Sequence, residues 1–455
     1  MSSFSGLNVG LSSLFAQRRG LELTGHNVAN ANTEGYSRQR VQLQGAGGPT
    51  TPALHSRWTG AGNGVTIAGD ERLRDAFLEG QSLRERGKDT QLRTQQTTLS
   101  RLEGVFGEPS DSGLASQLSD FWSGFDAVAK NPTDRAARSQ LLERAATLAN
   151  GLNDTLSRMD AQVSGSLEKL GVVVSDVNAT AETVASLNRA IVSGTRAERN
   201  VNDLKDQRDL LVQRLASLTG ATVQQGDAGS VDVVLDGRPL VSGRTANALE
   251  VGSGAAPSVV WSDDGAEAAT GGEAGGLLHS LNTVVPRYRE GLAQVATRLA
   301  DVVNGQHSAG YDRSGASPTT DFFVKQPDGR LVVAIHDPDR VAASSTGTAG
   351  GDAGGGNALV LARQGSLDGG PDQAYRALVV TLGVEAQTAN RSVDIQAAIL
   401  GQVDAARESD AGVNLDEEMT NMLAYQRAYE GAARFLTSVD QMLDTLINRT
   451  GLVGR

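Results

Sequence analysis

Five histidines are the first place to look for metal or proton chemistry: His26, His55, His279, His307 and His336. No two lie three or four residues apart, so no helical zinc pair exists. Each is expected at the surface or as a cap. Asp206 and Asp209 flank Arg208 at a spacing that puts both carboxylates on one helix face. Such a pair can serve acid–base work only when it faces a substrate cleft. Ion-paired helix surface is the expectation here. Asp263, Asp264 and Glu267 lack the ligand spacing of a calcium loop and read as solvated linker. GAGNG at 60–64 follows no clear strand and opens no helix, so turn use is expected. None of Lys88, Lys130, Lys169, Lys205 and Lys325 sits in a phosphate loop, and no G-x-S-x-G elbow occurs. With no cysteine there is no disulfide, thiolate metal site or thiol nucleophile. Nothing assembles a nucleophile, a base and an oxyanion site. The chain reads as a non-enzyme with no cofactor and no metal.

The 455 residues carry 41 basic and 53 acidic groups, a net charge of −12. That balance argues against nucleic acid, whose binding rests on phosphate neutralisation. No run of about 18 apolar residues occurs, so no membrane insertion is expected. The start, MSSFSGLNVGLSSLFAQRRG, has no basic segment ahead of an apolar core, so no cleaved signal peptide is expected. The length allows two to four domains.

The elements that must position these residues are mostly helical. Residues 4–29, 71–106, 114–129, 277–306, 357–364 and 371–409 carry helical patterns. In NPTDR (131–135), Asn131 is a plausible cap, with Pro132 at the first helical position and Asp134 at the positive helix end. From 133 to 219 no proline intervenes, and Gly165 and Gly194 are the expected interruptions of a long hairpin. Residues 221–262 read as short strands with a DGRP turn at 236–239. DDGAEAATGGEAGG (263–276) reads as a linker, residues 321–345 as extended, and TGTAGGDAGGG (346–356) as a flexible loop.

Two seams close the ends of the chain. Stepping three and four gives Phe4, Leu7, Leu11, Leu14, Leu21 and Val28 at one end. At the other it gives Met422, Tyr425, Tyr429, Ala432, Leu436, Val439, Leu443 and Leu446. A lone helix pair is marginal in water, so neighbouring subunits are expected to complete the burial. On that reading the ends order on polymerisation and form an assembly seam. The fold class is mainly α with a small β insert, in discontinuous nested domains. Residues 1–65 and 411–455 form a terminal coiled-coil assembly domain. Residues 66–220 and 277–410 form a helical-bundle body, and 221–276 a distal β domain.

ANANTEGYSRQR (29–40) resembles the N-terminal motif of flagellar axial proteins, which comprise rod, hook and hook-associated subunits. The motif residues are Ala29, Asn30, Asn32, Thr33, Gly35, Tyr36, Ser37, Arg38 and Gln39. Three further stretches are similar to the hook-associated members of the hook–filament junction. They are EPSDSGLASQLSDFWSGFDAVAKNPTDRAAR (108–138), VNDLKDQRDLLVQRLA (201–216) and VNLDEEMTNMLAYQRAYEGAARFLTSVDQMLDTLINRTG (413–451). The resemblance implies a structural subunit of the bacterial flagellum, secreted by type III export without a cleaved signal. It implies self-association in a helical array, contact with hook protein and the third hook-associated protein, and an export chaperone on the C-terminal helix. The terminal motifs alone leave hook protein or a rod subunit as the alternative. A secreted enzyme or adhesin, with its activity in the β insert, is the alternative of another class.

Overall fold

A computed structural model of the chain describes residues 3–47, 62–347 and 354–449, without the side chains of residues 3–5 and 449. His55, Gly60 and Ala61 of GAGNG, most of the 346–356 loop and the Phe4 side chain lie outside this description.

The chain opens with helix α1 (Ser3–Ala29) and the antiparallel strands β1 (Gln39–Gly45) and β2 (Val65–Arg72). Helix α2 (Ala76–Phe106) starts where the Asp75 carboxylate accepts from the amides of Phe77 and Leu78, and stops at left-handed Gly107. Helix α3 (Leu114–Lys130) buries Leu118, Phe121, Trp122 and Phe125, the aromatic face that its spacing forecasts.

Helix α4 (Arg135–Arg196) corrects two expectations. Its cap is Asp134, which accepts from the Ala136 amide, whereas Asn131 ends α3. The helix also runs through Gly165 without a break. One glycine costs about 1 kcal/mol. Leu156 and Met159 on one side, and Leu170 and Val173 on the other, are each 5% exposed or less and anchor the helix across it. The chain turns only at 197–201, after Gly194, and returns as α5 (Asn202–Thr219).

The β insert is a four-stranded antiparallel meander and a hairpin. The meander is β3 (Thr222–Gln225), β4 (Val231–Leu235), β5 (Arg238–Ser242) and β6 (Thr245–Ala246). The hairpin is β7 (Leu249–Val251) with β8 (Val259–Trp261). Asp236 and Gly237 both have positive φ, which gives the tight turn between β4 and β5. The stretch 263–276 is no slack linker. Arg238 pairs with Asp263 and Asp264, Glu267 bridges to Val260, and Ala268 is buried. Helix α6 (Gly272–His279) begins inside the glycine run. A Cβ on Gly276 would fall 2.7 Å from Thr94 Cβ, so that glycine lets α6 press on α2.

The return half is α7 (Val285–Ser308), the β9 (Phe323–Lys325) and β10 (Leu331–Val333) hairpin, α8 (Gly356–Arg363), α9 (Pro371–Ala411) and α10 (Leu415–Asp444). Two hydrophobic cores divide the body. One joins α3, the first half of α4, α7, α8 and the start of α9. The other joins the second half of α4, α5, α6 and the strands β4, β5, β7 and β8. The β insert therefore does not stand apart as its own body: Trp261 and Leu240 share a core with Val177 and Leu215. Only β4 and β8 bury alternate residues along their whole length, and strands this short need the helices to close them.

His307 is neither surface nor cap. It is 1% exposed, sits against the Phe322 ring, and its Nε2 accepts from the Ala342 amide at 2.9 Å. Burial lowers its pKa to about 4. An unfolded histidine titrates near 6.5. Between those two values the unfolded chain binds one more proton than the native one. Stability therefore falls as pH drops from about 6.5 to about 4, by roughly 3 kcal/mol in all, and this loss saturates below. Urea unfolding across that range should show the slope in the native chain and a shallower one in His307→Gln. Parallel profiles in the two proteins would assign the slope to other groups.

Candidate assembly interface

Helices α1 and α10 lie antiparallel in the single chain. Val439 meets Gly6, Leu436 meets Gly10, and Tyr425 meets Gly20. The α10 stripe is heptad-spaced, Glu418, Tyr425, Ala432 and Val439, and three of these are buried, with Tyr425 half-buried. Met422, Leu436 and Leu443 are half-buried, and Tyr429 and Leu446 are exposed. The apolar seam read from the sequence of α10 is thus the edge that includes the residues meeting α1.

On α1 three glycines meet α10, and the apolar seam runs beside them. Gly6, Gly10 and Gly20 meet α10 side chains, and Ala16, Leu23, Thr24 and Asn27 are also buried on α1. The three glycines carry no side chain, so an apolar count passes over them. A Cβ on Gly20 would lie 2.5 Å from Tyr425 Cε1, which only glycine permits. At about 100° per residue, Leu11 and Phe15 fall on the far side of α1, while Leu7 and Leu14 sit beside Gly10 at i−3 and i+4. Leu11 and Phe15 are 47% and 55% exposed there. Leu7, Leu14, Leu21 and Val28 are half-buried. On α10, Leu415 and Met419 flank the contact stripe on one side, Phe435 and Met442 on the other, and Leu423 faces away from it. Each of these five is at least 44% exposed. The apolar arc of the pair is wider than one partner helix covers.

The motif residues tie this pair to the body. Ala29 is the last residue of α1, and Asn30 folds its amide back onto the His26 carbonyl. Thr33 Oγ1 donates to Asn30 Oδ1, and Asn32 is exposed. Gly35, at φ +78, turns the chain against Leu210. Asn27 Oδ1 accepts from the Tyr36 hydroxyl at 2.8 Å and from the Gln39 amide at 3.0 Å. Asn27 Nδ2 donates to the Gln39 carbonyl and to Glu418 Oε2, both at 2.9 Å. Arg38 holds Glu418 at 2.8 Å and Glu417 at 2.7 Å, and Glu418 is only 2% exposed. The Arg38 amide donates to the Ala411 carbonyl at the end of α9. Burial would lower the Arg38 pKa, but the bonds to Glu417 and Glu418 leave it raised. Burial, with Asp206, Asp203 and Glu418 nearby, pushes the Tyr36 phenol up.

Across the joint, Ser37 N–H donates to Asp206, and Asn202 Nδ2 donates to Gln39 Oε1. Arg72 bonds Asp206 at 2.7 Å and Asp209 at 2.9 Å. Arg74 bonds Asp209 and Glu79, and Arg208 bonds Asp209. Asp206 and Arg208 are 6% and 3% exposed, so this helix face is a buried ionic joint rather than surface. Burial raises the Asp206 pKa above the ordinary value, because one arginine does not offset it. Burial acts the same way on Asp209, but Arg74, Arg208 and Arg72 together hold its pKa below the ordinary value. Asn27, Glu418, Arg72 and Arg74 escape a search for catalytic residues. The available signal was complementary spacing: arginines at i and i+2 along a strand end, and aspartates at i and i+3 on a helix. Among the described residues no group of histidine and carboxylate ligands is placed to hold a metal.

Three family models match the chain: "Flagellar hook-associated protein FlgK helical domain" over residues 99–323, "Flagellar basal body rod FlgEFG protein C-terminal" over 408–449, and "Flagella basal body rod protein" over 7–36. Flagellar hook-associated protein 1 of Bacillus subtilis is 30% identical, with all of both chains covered. Its namesake in Salmonella typhimurium is 27% identical over 97% of this chain and 99% of its own. The solved flagellar hook junction protein FlgK from Burkholderia pseudomallei covers 72% of this chain and 100% of its own, with a TM-score of 0.65 at 18% identity. That likeness shows a shared fold. The mainly helical body with its β insert, the terminal helix pair and the full-length likeness converge: the chain belongs to the flagellar hook-associated protein 1 family.

Proposed function

We propose that the chain builds the junction between hook and filament, with α1 and α10 of many copies packed as its inner layer. The observation that carries this reading is the apolar surface left open on the pair: Leu11 and Phe15 on α1, and residues on both flanks of the α10 stripe. A second layer of subunits would cover it, and like-facing contacts that do not close generate a helical array. The joint at Arg38, Asp206 and Asp209 holds the pair at a fixed angle to the body, so the lattice sets where each body sits. Other copies of the chain, hook protein and the third hook-associated protein are the partners of this reading. Before export, a chaperone would shield the same apolar flanks of α10. The chain would leave the cell by type III export. Among the described residues no helix is long and apolar enough to cross a membrane. We assign no catalytic step to it.

Deleting the gene is expected to give cells with hooks and no filaments, and filament subunits shed into the medium. Electron microscopy of the cells and gels of the medium would check this. Normal filaments would sink the reading, and loss of hooks as well would favour a hook subunit.

A further inference from the structure

Beside the ionic joint lies a cavity of about 290 Å³ that the family role does not use. Arg72, Arg74, Lys205 and Arg208 supply its charged wall, and Val212 and Val231 part of its apolar wall. The carboxylates in reach are Glu79 and Asp209, which line it, and Asp206, which bonds Arg72. Four cations thus meet three carboxylates, leaving one positive charge over.

The extra cation is identifiable. Arg74 is bonded to Asp209 and Glu79. Arg208 directs Nε and Nη2 to Asp209 and Nη1 to the Gly229 carbonyl, so all three nitrogens are used. Arg72 reaches Asp206 and Asp209 through Nη1 alone. Lys205 has no acidic partner among the described residues, although it is half-buried. It extends over Gly229, where a Cβ would lie 3.7 Å from its Nζ. Burial lowers its pKa and the charges of Arg72 and Arg208 lower it further, which the more distant Asp209 and Asp206 offset only in part. A half-buried ammonium beside two guanidinium groups is a costly arrangement unless an anion joins it.

We propose that this cavity binds one small oxyanion of the phosphate or sulfate class, held between Lys205 Nζ and the free edge of Arg72. The oxyanion supplies the missing negative charge and accepts charge-assisted hydrogen bonds from both groups. It links β2 to α5, and so braces the joint between the terminal helices and the body.

The test uses the full chain, with inorganic phosphate and sulfate titrated by calorimetry against chloride at matched ionic strength. Each oxyanion is expected to bind once per chain and to raise the melting temperature beyond the chloride control. Lys205→Met should bind about tenfold more weakly, while Lys205→Arg retains binding. In phosphate-free buffer Lys205→Met should melt higher than the native chain, because it removes the unpaired cation. That second readout does not depend on any ligand and also shows that the variant folds. Equal affinity in Lys205→Met and the native chain would overturn the proposal. So would a response to phosphate and sulfate no larger than that to chloride.

Discussion

Replacing Glu418 with alanine is expected to loosen both terminal helices, at a cost of about 3 kcal/mol. Removing one partner of a buried ion pair costs roughly 3–5 kcal/mol, because the other charge stays buried. The lower end applies because Arg38 keeps Glu417, whose side chain is 58% exposed. The same change leaves Asn27 Nδ2 with only the Gln39 carbonyl. Amide hydrogen exchange is the proper measurement, since opening of the pair need not unfold the two cores. Faster exchange along α1 and α10, with α4 unchanged, is the expected pattern. Glu418→Gln should lie between, keeping an oxygen for Asn27 but losing the charge. Unchanged exchange in Glu418→Ala would show that the knot does not hold the helices.

A larger effect on assembly is expected from Gly20→Val. The first added carbon would already stand 2.5 Å from Tyr425 Cε1, so the helices must part or the ring must leave. Overpacking of this kind costs about 1–3 kcal/mol. It also displaces the register by which neighbouring copies would meet the pair. The expected outcome is a folded, exported subunit that fails to support filaments, scored by swimming and by microscopy. Gly25→Ala is the control, because nothing lies within 4 Å of its added carbon. It should be neutral or stabilising by up to about 1 kcal/mol through helix propensity. Adding Tyr425→Ala to Gly20→Val should restore assembly in part. Full function of Gly20→Val alone would argue that the pair does not pack this way in the assembled state.

Part of the α10 contact was legible, because Tyr425, Leu436 and Val439 are large and a three-four count finds them, while Glu418 escaped it. The α1 contacts were not, since Gly6, Gly10 and Gly20 act by absence of a side chain. What the same count found on α1 was the half-buried flank at Leu7, Leu14 and Leu21, with Leu11 turned outward. The turn at Asp236–Gly237 followed from turn chemistry, and the α3 face from its aromatic spacing. Gly165 misled because local propensity is weak beside two cores that grip one helix on either side. The joint was the least visible feature. Arg38 and Glu418 are 380 residues apart, and Arg72 and Asp206 are 134 apart. Their pairing is a property of the fold, and each residue by itself reads as solvated charge.

That separation sets an order of events. Asn27 and Glu418 bond across 391 residues, so α1 waits for α10 whichever end of the chain is delivered first. Contacts of such long sequence separation close late and carry the largest loop-closure cost. The body can complete its two cores beforehand, because α4 to α9 contain most of both. A subunit arriving through a narrow passage would therefore present a finished body before its ends can join. The knot at Arg38 can close only when both ends of the chain are present, so the geometry of the α1–α10 pair is set last.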